Sequence, residues 1–130
     1  MKNTSRKPYR TLSDLPFVAK SSRRQRRKNW VVKNTNDDAL ACARGQMFGA
    51  QFALYLTDNP TKVGMPSLNR IIADMNLSDD AENMGYAIGF CSYLERLIHF
   101  AASQFDTIAD ANELIAEYEL SAVVSLGRVQ

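Results

Sequence analysis

Asn36-Asp37-Asp38-Ala39-Leu40-Ala41-Cys42-Ala43-Arg44-Gly45-Gln46-Met47-Phe48-Gly49-Ala50-Gln51-Phe52-Ala53-Leu54-Tyr55-Leu56-Thr57 is the stretch whose reading decides the fold. Asn36 or Asp37 can cap a helix, and Asp37 and Asp38 place negative charge at its positive end. Leu40, Ala43, Met47, Ala50 and Leu54 then recur on one helical face, while Ala41, Phe48, Phe52 and Tyr55 recur on another. A helix apolar on two faces is expected at the centre of a bundle. Asp58-Asn59-Pro60 is turn chemistry, so the helix should end near Thr57.

The pattern continues towards the C-terminus. After a loop holding Gly64 and Pro66, Ser67 is placed to cap a short helix with Leu68, Ile71, Ile72 and Met75 on its inner side. Asp79 and Glu82 fit a capping arrangement before a long helix. Its expected apolar face is Met84, Ala87, Ile88, Cys91, Leu94, Ile98 and Ala101. Asp106 or Thr107 starts a last helix with the inner stripe Ile108, Ala111, Leu114, Ile115, Tyr118 and Ala122, and Gly127 is its expected stop. The fold class is therefore all-α, a small four-helix domain. Gly45 and Gly49 in the first helix are echoed by Gly85 and Gly89 in the third. Each interior glycine costs about 0.8–1.0 kcal/mol against alanine, a cost that makes sense where a second backbone must come close. The spacing predicts that the first and third helices cross at these four glycines. In a homodimer the crossing would be between chains, but a short chain must bury such faces somewhere, which favours the crossing within one chain.

The N-terminal third differs in kind. Residues 1–8 are polar and charged and are expected to be disordered unless bound. Leu12, Leu15, Phe17 and Val18 gather around Pro16 as an irregular apolar hook that pins the adjoining basic segment to the body. Ser22 to Trp30 then places Arg23, Arg24, Arg26, Arg27 and Lys28 within six residues, with no acid among them. Neither Gly nor Pro interrupts Lys20 to Lys28, so this stretch is free to be helical, and Trp30-Val31-Val32 suits an extended packing segment. Met1 to Lys33 holds 11 basic residues and the single Asp14, a net +10, while the remaining 5 basic and 13 acidic residues make 34–130 a net −8. The organisation expected is a basic arm, extended or partly helical, over 1–33 and a helical domain over 34–130.

Such asymmetry points to a polyanionic partner. Lys20 to Lys28 resembles the arginine-rich peptides that bind structured RNA. Lys20, Arg23, Arg24, Arg26, Arg27, Lys28 and Trp30 are the candidate contacts to RNA or DNA, with guanidinium groups gripping phosphates and the indole stacking on an exposed base. Val31 and Val32 beside Trp30 favour the other use of that ring, packing on the body. The arm has a rival use as well, lying across its own acidic body, which its arginine density argues against. A helix-turn-helix over Leu68 to Glu82 is disfavoured, since Asp79, Asp80 and Glu82 would meet phosphate with the wrong sign. The competing functional class is a protein-binding inhibitor or adaptor of phage or plasmid type that docks on a larger host protein or nucleic-acid-handling complex. Leftover apolar helix faces make a homodimer plausible, and Arg23 to Lys28 lacks the apolar face that membrane insertion needs.

Catalysis has little to stand on. The lone His99 sits between Ile98 and Phe100, and one histidine cannot complete a nucleophile–base–orienter set. Cys42, Cys91 and His99 have no metal-ligand spacing, and neither Gly-x-x-x-Gly element follows a strand. The expectation is no enzyme activity, no metal and no cofactor. Cys42 and Cys91 fall in apolar helical patterns and read as small buried thiols in a reducing compartment. No apolar leader follows Met1-Lys2-Asn3-Thr4 and no run is long enough to span a bilayer, so the expected location is cytoplasmic.

Overall fold

The computed structural model describes residues 6–20, 28–75, 81–104 and 106–128. It is all-helical, with helices α1 (Asp38–Asp58), α2 (Ser67–Asp74), α3 (Ala81–Gln104) and α4 (Thr107–Arg128), and no strand among the described residues. Short 3-10 turns span Leu12–Asp14 and Pro60–Lys62. The chain divides into two compact units, Met1–Glu95 and Arg96–Gln130, and the division falls inside α3.

Of the two candidate caps, Asp37 is the one used at α1, with its carboxylate accepting the Leu40 N–H at 3.1 Å. Asn36 takes a positive φ of 59° just before it, a conformation Asn tolerates better than most residues. Ser67 does not cap α2. It is the first helical residue, Pro66 holds the N-cap position, and no side chain bonds the free amides there. α4 runs through Gly127 to Arg128 instead of stopping at it. Asp79 and Asp80 lie outside the described residues, as does the turn before α3.

In the first unit, α1 and α3 meet backbone to backbone at their glycines. A Cβ on Gly45 would fall on the Tyr86 carbonyl oxygen, and one on Gly89 would fall on the Cys42 carbonyl oxygen. At Gly49 it would lie 2.8 Å from the Tyr93 Cβ, and at Gly85 3.3 Å from the Ala41 Cβ. This close approach turns one face of each helix towards a shared aromatic core of Phe52, Tyr86 and Phe90. The hook supplies the rest of that core, with Leu15 and Phe17 fully buried.

The helix faces expected to be inner need correction. In α1 one of the two expected faces is the inner one, with Ala41, Phe52 and Tyr55 buried beside Gly45 and Gly49, while Leu40, Met47 and Leu54 of the other are exposed. In α3 the buried set is Tyr86, Ala87, Gly89 and Phe90, whereas Met84, Ile88, Cys91, Ile98 and Ala101 face water. The aromatic rings of α3 and the demand of its glycines for a neighbouring backbone outweigh its aliphatic stripe. In α2, Ile71 and Met75 are buried but Leu68 and Ile72 are exposed. The second unit, taken alone, holds no buried residue among those described between 96 and 125.

Candidate nucleic-acid interface

The candidate site lies in the first unit, where the basic stretch leaves and rejoins the core. Phe17 and Trp30 anchor its two flanks. Their ring centroids are 5.5 Å apart, and both rings contact Phe48 and Phe90 at 5.1–6.2 Å. These spacings are those of favourable tilted and edge-to-face aromatic pairs. The backbones of the flanks are also joined. Ala19 N–H donates to the Lys28 carbonyl at 2.9 Å, and Val31 N–H donates to the Phe17 carbonyl at 2.7 Å. The segment between Ala19 and Lys28 thus begins and ends at one point on the surface.

Two further bonds fix the returning strand of chain. Asn29 N–H donates to the Asp74 carboxylate at 2.8 Å, and the Tyr86 hydroxyl donates to the Lys33 carbonyl at 2.8 Å. A cleft of about 370 Å³ opens beside them, lined by Lys28, Trp30, Val31, Val32, Asp74 and Asn83. Asp74 lies at the base of the stretch, and its carboxylate accepts a backbone N–H there. It fixes Asn29 in place beside the exposed Lys28.

Lys20 and Lys28 are exposed and non-helical. Arg23, Arg24, Arg26 and Arg27, with the helix considered for them, lie outside the described residues. Trp30 leaves the set of candidate contacts. It is 7% exposed and its faces are occupied by Phe17, Phe48 and Phe90, so no base can stack on it. The apolar run after it is the reason, since Val32 packs against the same core.

Of residues 1–8, where disorder was expected, 1–5 lie outside the described residues, and from Arg6 onward the segment is anchored. Arg6 grips Asp58 through both guanidinium nitrogens at 2.8 and 2.9 Å. Tyr9 N–H adds a third bond to that carboxylate at 2.9 Å, and the Asn59 amide donates to the Tyr9 carbonyl at 2.7 Å. Arg6 first, and then the Tyr9 N–H, holds the Asp58 carboxyl below its ordinary value, and Asp58 in turn raises Arg6. Lys62 closes the clasp by donating to the Arg10 carbonyl at 2.7 Å. Asp14 is also held low, by the Thr11 and Arg10 N–H groups. Part of the N-terminal charge is thus answered by the protein's own acid. Sequence reasoning treated Asp58 and Asn59 as turn formers only, and nothing in their local pattern marks a partner some fifty residues away.

Other candidates disperse. Cys42 and Cys91 are both free, and Cys91 is exposed where a buried thiol was expected. Partial desolvation pushes the Cys91 thiol up, away from a reactive thiolate. His99 is exposed on α3, and no group of His, Cys, Asp or Glu among the described residues is arranged to hold a metal. No helix among the described residues is long and apolar enough to cross a membrane. No protein-family model matches the chain, and no curated protein or solved structure matches it.

Proposed function

We propose that this protein is a non-enzymatic nucleic-acid-binding accessory or regulatory protein of the cytoplasm that presents Lys20, Arg23, Arg24, Arg26, Arg27 and Lys28 to RNA or DNA. The observation that supports this most is the closed base of the basic stretch, with Ala19 bonded to Lys28 and Phe17 to Val31 over a buried aromatic anchor. Five cations within six residues, held at a fixed origin, repel one another unless a polyanion gathers them. Contacts of this kind grip phosphates and carry little sequence information.

The test is fluorescence anisotropy with a labelled RNA hairpin and a DNA duplex across a salt series. On duplex DNA the slope of log K against log salt should be about −0.9 for each phosphate neutralised. Replacing Arg23, Arg24, Arg26 and Arg27 by alanine should remove most of both the affinity and the slope. Unchanged binding by that variant would sink the reading. A protein-docking inhibitor or adaptor is the second reading, favoured by the exposed Leu40, Met47 and Leu54 row of α1. Under it, a single partner should stay bound in stoichiometric amount after nuclease treatment.

A further inference from the structure

A cavity of about 200 Å³ in the first unit gathers residues from the hook, the end of α1, the Pro60–Lys62 turn and the start of α2. Its charged lining is Lys62 and Arg70, and no acid among the described residues lines it. That composition runs against the charge of the surrounding chain. Residues 34–130 hold 5 basic and 13 acidic residues, and two of those five cations line this one cavity. We propose that the cavity binds the dianionic phosphate group of a phosphomonoester, at a site that uses no residue of the basic stretch.

Lys62 is held in place by the protein itself. Its ammonium donates to the Arg10 carbonyl at 2.7 Å, and it lies 5.6 Å from the centre of the Tyr55 ring. An ammonium has three donors, so two remain for a ligand. Arg70 makes no hydrogen bond or ion pair with a described residue. Its planar fork of donors is therefore open to grip two oxygens of one phosphate. Two cations around one cavity repel each other unless an anion lies between them. A phosphomonoester carries about −1.5 to −2 charge at pH 7 and answers both cations, whereas a carboxylate or a phosphodiester brings a single charge. Thr11 and Ser67 add hydroxyl-bearing residues to the lining, and Ser67 stands at the uncapped, positive start of α2. Leu12 and Tyr55, both buried, supply apolar lining that keeps these charges from being fully screened. Size limits the rest of the ligand. Pockets for drug-sized molecules run to about 300–1,000 Å³, so here the phosphate enters with only a small part of what bears it. A free small phosphomonoester and the 5′ end of a nucleic acid both present this group.

The test is a nuclear magnetic resonance titration of the full chain with methyl phosphate at constant ionic strength. The backbone amides of Lys62, Ser67 and Arg70 should shift along saturable curves. Dimethyl phosphate, with its single charge, and the Arg70→Gln variant titrated with methyl phosphate should each bind at least about tenfold more weakly. Arg70 is exposed, and the emission of Trp30, the single tryptophan and part of the first unit's core, reports that the variant stays folded. Replacing Arg23, Arg24, Arg26 and Arg27 by alanine should leave the methyl phosphate titration unchanged, so this site and the nucleic-acid reading fail separately. Competition by a 5′-phosphorylated oligonucleotide but not by its 5′-hydroxyl form supports the site and assigns its phosphate to a nucleic-acid end. Competition by neither, beside saturable methyl phosphate binding, supports the site and assigns it to a free small molecule. The proposal is overturned if the three amides do not shift saturably, if dimethyl phosphate binds as tightly as methyl phosphate, or if folded Arg70→Gln keeps the wild-type affinity. Loss of the titration in the four-alanine variant overturns it as well.

Discussion

α1 and α4 are nearly equal in length, 21 and 22 residues, and both carry apolar residues on more than one face. Their environments are opposite. α1 buries Ala41, Phe52 and Tyr55 and lets another backbone touch it at Gly45 and Gly49, while the second unit by itself buries no residue of α4 between 108 and 125. Apolar periodicity therefore says that a face needs cover, and it does not say whose residues supply it. What separates the two helices is glycine and aromatic content. α1 has two glycines to admit a neighbour and rings to fill the space around the contact, whereas the apolar stripe of α4 from Ile108 to Ala122 is aliphatic residues and one tyrosine.

The sharpest way to break this comparison is to make one substitution in both environments. Phe17 is fully buried among Trp30, Phe48 and Phe90, and Phe100 is 67% exposed. Phe17→Ala should cost about 3–5 kcal/mol, as loss of a buried ring does. Phe100→Ala, measured at low protein concentration, should change the unfolding of the first unit by less than about 0.5 kcal/mol. Urea titrations followed by Trp30 emission give both values. Equal effects would mean that the two environments are not different in the way described.

The N-terminal clasp offers a smaller contrast, between anchored and free charge. A carboxyl whose folded value is depressed stabilises above its unfolded value, near about 3.9, and that contribution is lost as pH falls through the lower folded value. Asp58 follows this sign because Arg6 and Tyr9 bond its ionised form. The Tyr9 amide resonance should titrate below the ordinary aspartate range. In Asp58→Asn that titration should vanish and the Arg6 contact with it. A Tyr9 shift with an ordinary aspartate midpoint would show that the clasp does not bind the ion.

Much of this fold was legible because its signals are local. Asp37 capping α1, the turn at Asp58-Asn59-Pro60 and the four helices follow from residues within a few positions of one another. The inner stripe of α1 was named, through Ala41, Phe52 and Tyr55, but not told apart from its outer one, and the α3 stripe was missed, because both depend on Phe17 and Trp30 arriving from the N-terminal third to fill the α1–α3 side. Of the candidate site, the density of cations was plain from composition. Its base was not, because Ala19–Lys28 and Phe17–Val31 are backbone bonds that any residues can make. Asp74 was equally hidden, since a lone acid at the end of a short helix looks solvated until the Asn29 N–H meets it.

The glycines of the α1–α3 crossing give the finest version of the comparison, since three of them test one contact at different separations. Alanine is intrinsically better than glycine in a helix by about 0.8–1.0 kcal/mol, so each substitution starts with a gain. At Gly45 and Gly89 the new methyl would land on a carbonyl oxygen of the opposite helix, and backbone cannot step aside without moving the helix. Overpacking of this kind costs about 1–3 kcal/mol, so Gly45→Ala and Gly89→Ala should destabilise despite the gain. At Gly85 the one tight contact of the methyl would be the Ala41 side chain at 3.3 Å, with the Asp38 carbonyl at an ordinary 3.5 Å, and a shift of a few tenths of an ångström relieves it. Gly85→Ala should therefore change stability by less than about 0.5 kcal/mol, the gain and the crowding nearly cancelling. Three urea midpoints decide the matter. A Gly85→Ala loss as large as that of Gly89→Ala would mean that the helices are closer at the Ala41 end than the crossing described, and a stable Gly45→Ala would mean that they are not in backbone contact at all.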